Sequence, residues 1–360
     1  MGETAIINGA KVKNIRHLTQ PELLDYFLSI GEKKFRAKQV WEWIWKKGAA
    51  SFADMTDLSN ELRQKLGETF SLPSMAVDAT QYSADGTIKS RFRTHEGHLC
   101  EGVLIPSNSR FTACVSSQIG CSLSCKFCAT GYIDRKRNLD FDEIYDQVVM
   151  INRECEARNG KKLSNIVFMG MGEPLLNYSN VLKAVERITA VDGMGMSPNR
   201  VTVSTAGVAK AIRKLGDDGV KFKLALSLHA PNDAKRDKIM PINESNNLKS
   251  LIDAMNYFYQ KTGGEITLEY ILFKDFNDSQ KDAEELLKIY RQVPSHMVNL
   301  IEYNPIDAAK FEKPSPERVD EFMGFLSRNK VNVHLRRSRG KDIDAACGQL
   351  ANKNLVLTEG

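Results

Sequence analysis

A chain of 360 residues, 42% hydrophobic and 26% charged, has enough apolar content for a full core plus an accessory unit, which excludes a disordered or low-complexity protein. Its 50 Lys and Arg against 45 Asp and Glu leave a formal net charge of +5, a mild bias that permits RNA binding without demanding it. No apolar run approaches membrane-spanning length, the first residues lack the basic and apolar parts of a secretory signal, and Ile6 stands where a myristoylation motif at Gly2 wants Ser or Thr.

Residues 1–95 read as a separate unit, with helix-period runs at 20–31, 37–47 and 60–70 and a polar strand-like stretch at 90–104. The pattern changes near residue 107. Short β-branched runs at 111–116, 165–169, 201–204, 222–228, 266–273, 297–302 and 331–336 now alternate with amphipathic runs at 141–158, 180–189, 208–216, 248–262, 280–292 and 316–329. Such alternation builds βα units on a parallel sheet. There are fewer units than a closed eightfold barrel needs. The expected fold is therefore α/β, a partial (βα)6-type barrel over 96–341, preceded by a small, mainly helical domain at 1–95 and followed by a short C-terminal segment at 342–360.

Cys121, Cys125 and Cys128, in the run Gly120-Cys-Ser-Leu-Ser-Cys-Lys-Phe-Cys-Ala129, follow the first strand of this series. Three thiolates hold three irons of a [4Fe–4S] cluster and leave the fourth iron open to a substrate or cofactor. Structural zinc closes its tetrahedron with four ligands, and no matching second Cys-x-x-Cys clip exists. Three buried thiols without a metal are the plain alternative. A labile cluster argues for a reducing cytosol over a disulfide framework among Cys100, Cys114, Cys155 and Cys347.

In parallel sheets chemistry collects at the carboxyl ends of the strands. Four polar groups end strands here: Gly170-Met-Gly-Glu-Pro174, Ser204-Thr-Ala-Gly207, Ser227-Leu-His229 and Asn304-Pro305. Glu173 can accept a charge-assisted hydrogen bond from an ammonium, and Gly172 allows close backbone approach; the ordinary reading is a helix-capping carboxylate in a tight turn. Ser204, Ser227, His229 and Asn304 are each weak signals, because strand-end Ser and Asn usually satisfy local backbone groups and a lone His is as often packed as functional.

The cysteine spacing resembles the radical S-adenosylmethionine (SAM) superfamily, and the resemblance implies a cluster whose free iron binds SAM and yields a 5′-deoxyadenosyl radical. Ser116-Ser-Gln-Ile-Gly-Cys, Arg137-Asn-Leu139, Met169-Gly-Met-Gly-Glu-Pro174, Ser227-Leu-His229, Met240-Pro-Ile-Asn243 and Asp342-Ile-Asp-Ala-Ala-Cys-Gly-Gln-Leu350 narrow it further. Together they resemble the RlmN family of RNA adenine methyltransferases and its relative Cfr, over the whole chain. The resemblance implies cluster ligation by Cys121, Cys125 and Cys128, and SAM contacts from Gly172, Glu173, Ser204, Ser227, Leu228, His229 and Asn304. It further implies that Cys347 carries a methyl group taken from one SAM, that a radical made from a second SAM activates it, and that a methylene radical adds to adenine. Cys114 then frees the product by a disulfide with Cys347, and Glu101 accepts the proton from the alkylated carbon. Read alone, Cys347 is a small buried residue near the terminus, Cys114 a core strand cysteine and Glu101 a solvated strand-edge carboxylate.

The implied product is methylation at carbon 2 of an adenine in 23S rRNA and in tRNA. The nearest alternative is carbon 8 of the same adenine, the Cfr specificity, and a non-catalytic RNA-binding iron–sulfur protein is the alternative of another class. Two basic runs, 135–138 and 336–341, flank the expected mouth and would attract phosphate. Residues 33–38 with Trp41, Trp43 and Trp45 offer an RNA-binding surface in the N-terminal domain, although Trp41 and Trp45 stand at the i,i+4 spacing of a buried face. The target adenine must be unpaired or extruded. The expected setting is a cytoplasmic monomer, with no membrane contact, served by a small electron donor such as flavodoxin.

Overall fold

The computed structural model describes residues 4–7 and 10–353; the expectations that fall on 1–3, 8, 9 and 354–360 lie outside the described residues. The N-terminal unit joins β1 (Thr4–Ile7), β2 (Ala10–Asn14), α1 (Gln20–Ser29), α2 (Lys34–Trp45), α3 (Asn60–Thr69) and β3 (Phe70–Ser71). Helix starts are marked in the sequence. Thr19 and Glu22 close a capping box on α1 and Ser59 caps α3, satisfying amides that have no partner inside the helix.

The rest of the chain hangs on one ten-stranded sheet. Its first four strands, β4 (Ala76–Tyr82), β5 (Ile88–Arg93), β6 (Leu99–Ser107) and β7 (Arg110–Cys114), form an antiparallel meander. A short hairpin of β8 (Gln118–Ile119) and β9 (Arg137–Asn138) then closes the cysteine loop. After α4 (Phe141–Asn159) the chain alternates regularly: β10 (Asn165–Phe168), α5 (Tyr178–Thr189), β11 (Val201–Thr205), α6 (Ala209–Asp217), β12 (Lys223–Ser227), α7 (Asp233–Ile239), α8 (Leu248–Thr262), β13 (Ile266–Leu272), α9 (Gln280–Gln292), β14 (Met297–Glu302), α10 (Pro316–Arg328) and β15 (Val333–Arg336). From β7 through β10 to β15 every neighbour is parallel, and the strands of this sheet follow one another in chain order, with only the β8–β9 hairpin set aside between β7 and β10. Right-handed crossovers that always step the same way put every helix on one side, so the sheet curls into a barrel. It stays open, because β15 ends one edge and β4 the other. β13 is buried along its whole length, as a strand covered on both faces must be.

Three details depart from the sequence reading. The stretch expected as one strand at 90–104 is two, β5 and β6, separated by a turn in which Thr94 N–H donates to His98 O (2.8 Å). The division expected at 95/96 falls inside the sheet, since β5 pairs with β6 from Ile88↔Leu104 to Arg93↔Leu99. α7 was not expected, because its residues Asp-Ala-Lys-Arg-Asp-Lys-Ile carry almost no apolar period.

The N-terminal unit is bound to α4. Trp41 and Trp45 are buried, as their spacing suggests, and the Trp45 ring lies 5.9 Å from Phe141 and 5.3 Å from Tyr145. These tryptophans therefore join the two units and are withdrawn from any RNA surface, whereas Phe35 is exposed. Asn14 and Arg16 reach two carboxylates one helical turn apart: Asn14 Nδ2 donates to Asp142 (2.8 Å) and Arg16 Nη1 to Asp146 (2.7 Å). His17 Nε2 stands 3.7 Å from Asp142, near Asp140 and Lys183. Asp142 holds the His17 pKa above its ordinary 6.5, against the opposing effect of burial. A raised folded-state pKa stabilises the fold fully below the ordinary value, and this contribution disappears as pH rises through the folded value. The thermal midpoint of the native protein should therefore exceed that of His17→Gln most at about pH 5.5, with the gap closing by about pH 9. A gap independent of pH would show that the histidine contributes packing alone.

Candidate active site

The cysteine loop is shaped largely by backbone hydrogen bonds. Cys121 N–H donates to Ile133 O (3.1 Å), Gly131 N–H to Cys128 O (2.9 Å), and Lys126 N–H reaches Ile239 O at the end of α7 (3.0 Å). At Gly120 φ is +75°, and a Cβ would stand 2.3 Å from Asp134 O, so only glycine lets the loop fold back here. Cys121, Cys125 and Cys128 line one cavity of about 150 Å³. Burial pushes all three thiols up, Cys121 to about 11, so metal binding must displace their protons. With Zn–S near 2.3 Å, two sulfurs on one zinc are at most about 4.6 Å apart. Among the described residues these cysteines are not a group whose ligand atoms all lie within 4.8 Å of one another; only His17, Asp140 and Asp142 of the interdomain clasp are. A spread set of three thiols fits a cluster better than a single ion.

The opposite walls come from the ends of β10, β11 and β12. Gly172, with φ +93°, brings the backbone against Gln118, where a Cβ would stand 2.5 Å from Gln118 Cβ. Gln118 Oε1 accepts the Glu173 N–H (2.9 Å). The Glu173 carboxylate is buried, which raises its pKa, and it accepts from Leu175 N–H (3.0 Å) and, across to the next strand end, from Ala206 N–H (2.7 Å). It thus caps the following turn, as the ordinary reading had it, and also lines the cavity. Ser204 and Ser227 meet at 3.3 Å between their hydroxyls. His229 is buried with φ +53°, a strained value for a residue with a Cβ. Its Nδ1 accepts the Ile271 N–H (3.2 Å), which puts the proton on Nε2. Burial, aided by Arg236, lowers its pKa to about 3, so the ring is a neutral donor.

Leu228 and Asn304 do not line this cavity. Leu228 is in the core and offers backbone, its N–H donating to Glu269 O (2.9 Å). Asn304 Nδ2 donates to Cys347 O (3.2 Å), and its Oδ1 is buried without a partner.

Cys347 lines the three-thiol cavity and also a smaller one of about 60 Å³, which it shares with Cys114, Met169 and Arg336. The tail is stitched to the cysteine loop on either side of it: Ala129 N–H donates to Gly348 O (2.7 Å) and Thr130 Oγ1 to Leu350 O (2.7 Å). Burial, followed by the neighbouring Cys347, pushes Cys114 up to about 12. All seven cysteines are free thiols, so the disulfide expected between Cys114 and Cys347 is not formed.

Glu101 is set apart from both cavities. It is fully buried, not the solvated edge carboxylate its sequence context suggests. Oε2 accepts from the N–H groups of Ala351 (2.9 Å) and Asn352 (3.1 Å), and Oε1 faces the buried Lys89 ammonium at 3.6 Å. The basic runs are partly consumed as well. Arg137 pairs with Glu143 (2.7 Å) and Lys341 with Glu302 (2.6 Å), while Arg135, Lys136 and Arg337 stay exposed.

Two buried groups escaped sequence reading. Glu269 lines the main cavity and its Oε2 has no hydrogen-bond partner, Oε1 being held by Asn299 Nδ2 (2.8 Å). Its signal was a single carboxylate inside the apolar run Ile-Thr-Leu-Glu-Tyr-Ile-Leu. Arg236 has no such signal. It sits among charged residues of α7 and looks solvated, yet it is completely buried.

The open barrel with its thiol loop at the mouth defines the class: the chain carries a radical SAM domain, and residues 115–287 match the Radical SAM superfamily. The structure is similar to that of a radical SAM methyltransferase from Sphaerobacter thermophilus, with a TM-score of 0.89 and 39% identity over 94% of this chain and 99% of that one. Residues 13–72 match the ribosomal RNA large subunit methyltransferase N-terminal domain. A probable dual-specificity RNA methyltransferase RlmN of Cytophaga hutchinsonii is 54% identical over 345 residues, 96% of this chain and 94% of its own. Dual-specificity RNA methyltransferase RlmN of Anaeromyxobacter dehalogenans is 43% identical over 94% of this chain and 91% of its own. This chain belongs to the RlmN family of radical SAM RNA methyltransferases. Among the described residues no helix is long and apolar enough to cross a membrane.

Proposed function

We propose that this protein methylates carbon 2 of an adenine in 23S rRNA and in tRNA, with Cys347 as methyl carrier. The observation that carries the reading is the double position of Cys347, in one cavity with Cys121, Cys125 and Cys128 and in a second with Cys114. A [4Fe–4S] cluster held by Cys121, Cys125 and Cys128 would, with SAM, supply the 5′-deoxyadenosyl radical. The chain's own groups would do the rest. Glu173, Ser204, Ser227 and the neutral His229 orient SAM against the thiol loop. Cys347 loses its proton and takes the first methyl by displacement, for which thiolate is a good acceptor. Cys114 lies behind it, placed to attack the Cys347 sulfur: the S–S bond forms as the S–CH2 bond to the base breaks, the carbon keeps the electron pair and takes a proton to become the methyl group, and cellular thiols would reduce the disulfide for the next cycle. Glu101 receives the proton from the alkylated carbon, a role that requires Ala351 and Asn352 to leave its Oε2. Seven free thiols suit a reducing cytosol, where a small donor such as flavodoxin would deliver the electron.

The test is mass spectrometry of nucleosides from 23S rRNA and tRNA incubated with the reconstituted protein, SAM and a reductant. The expected product is 2-methyladenosine. Finding 8-methyladenosine instead would overturn the carbon 2 assignment, and unmodified adenine throughout would overturn the catalytic reading.

A further inference from the structure

Among the described residues, the one buried arginine that pairs with no carboxylate is Arg236. Its side chain is inaccessible to solvent, and among the described residues it makes no salt bridge. All its donors meet neutral oxygens: Nε reaches Leu228 O (3.1 Å), Nη1 reaches Asn243 Oδ1 (2.7 Å), and Nη2 reaches Ala206 O and, at 3.3 Å, Ser227 O. The nearest acids, Asp233 and Asp237, are one step removed, each accepting from Asn243 Nδ2 (2.9 and 2.7 Å). A buried cation whose hydrogen bonds are satisfied but whose charge is not balanced is costly, because neutral acceptors do not replace a counter-ion in a low-dielectric interior. Something anionic belongs nearby.

The neighbourhood points to the thiol loop. Cys125 of that loop is close enough to act on Arg236 alongside Asp233 and Asp237, and it becomes an anion once a metal displaces its proton. The same short helix, α7, holds the loop through Ile239 O, which accepts the N–H of Lys126 between Cys125 and Cys128. Arg236 also grips the other wall. The backbone of Ala206 is held on both sides, its N–H by Glu173 Oε2 (2.7 Å) and its carbonyl by Arg236 Nη2. A carboxylate, the Ala206 backbone and a guanidinium thus run in series from the glycine-rich turn to α7, which holds the cysteine loop.

We propose that Arg236 is a positioning residue and the buried counter-charge of the three-thiolate cluster, fixing the strand ends that hold SAM and favouring the reduced cluster. This rests on the cluster assignment made above. A cluster on three thiolates is a net anion, and reduction adds a further negative charge, so a fixed cation beside it raises the reduction potential. The fork geometry of arginine binds several carbonyls at once, which lysine cannot copy.

The experiment compares native protein, Arg236→Lys and Arg236→Met after cluster reconstitution, by iron and sulfide content and an EPR-monitored redox titration. Arg236→Met should raise the oxidised-to-reduced ratio at a fixed poise about tenfold, a midpoint about 59 mV lower for one electron. Arg236→Lys, which keeps the charge, should hold the native midpoint and bind SAM about tenfold more weakly in a calorimetric titration. Equal midpoints in all three proteins, or equal shifts in both variants, would overturn the counter-charge. If Arg236→Met takes up no cluster, Arg236→Lys decides, since native loading supports the charge role and an equally empty lysine variant refutes it. Native protein that binds no iron would instead overturn the cluster assignment.

Discussion

Replacing Cys347 with alanine should abolish methyl transfer to RNA, by at least about 10⁴-fold, while the cluster's absorbance should survive. The two effects separate because the tail is held by groups other than the thiol. Ala129 N–H to Gly348 O, Thr130 Oγ1 to Leu350 O and Asn304 Nδ2 to Cys347 O all use backbone carbonyls of the tail, which alanine keeps. Only the sulfur facing the two cavities is lost. Peptide mass spectrometry of the native protein should find Cys347 carrying an extra methyl group, and the variant's tail peptide should not. Normal methylation of RNA by Cys347→Ala would refute the carrier role outright.

Cys114→Ala should stop after one event per chain and leave the protein covalently joined to RNA. In the proposed cycle the methylated base departs only when Cys114 attacks the sulfur of Cys347, and both line the smaller cavity, together with Cys128 of the thiol loop. Cys114 is at the end of β7 in register with Val103, so losing one sulfur there costs about 1 kcal/mol of packing and leaves the sheet intact. A denaturing gel of the variant after incubation with labelled RNA should show a band at the mass of protein plus RNA. Repeated turnover with no such band would remove Cys114 from the release step.

The two cysteines show how differently the levels of structure speak. Spacing alone grouped Cys121, Cys125 and Cys128, because a loop of eight residues brings its own thiols together whatever the rest of the chain does. Cys347 is far away in sequence, and no periodicity indicates that it joins those three in one cavity. Glu101 was misjudged for the same reason. Its strand context suggests an exposed edge, but Ala351 and Asn352, 250 and 251 residues further on, fold over it. Arg236 carries no signal in the sequence, where charged neighbours surround it, and only the packing of α7 under the strand ends removes it from water.

The sequence by itself determined the alternation of strands and helices, the caps that start them, the thiol loop and the polar strand ends, together with the family. These are local properties, set by apolar period, by capping chemistry and by residues a few positions apart. The tertiary structure alone decided that the meander at 76–107 belongs to the barrel sheet, that the tail covers Glu101 while bringing Cys347 to the thiol loop, and that Arg236 and Glu269 are buried at the mouth. Those facts depend on which distant surfaces meet, and a single chain's pattern encodes that a surface must be covered without encoding by what.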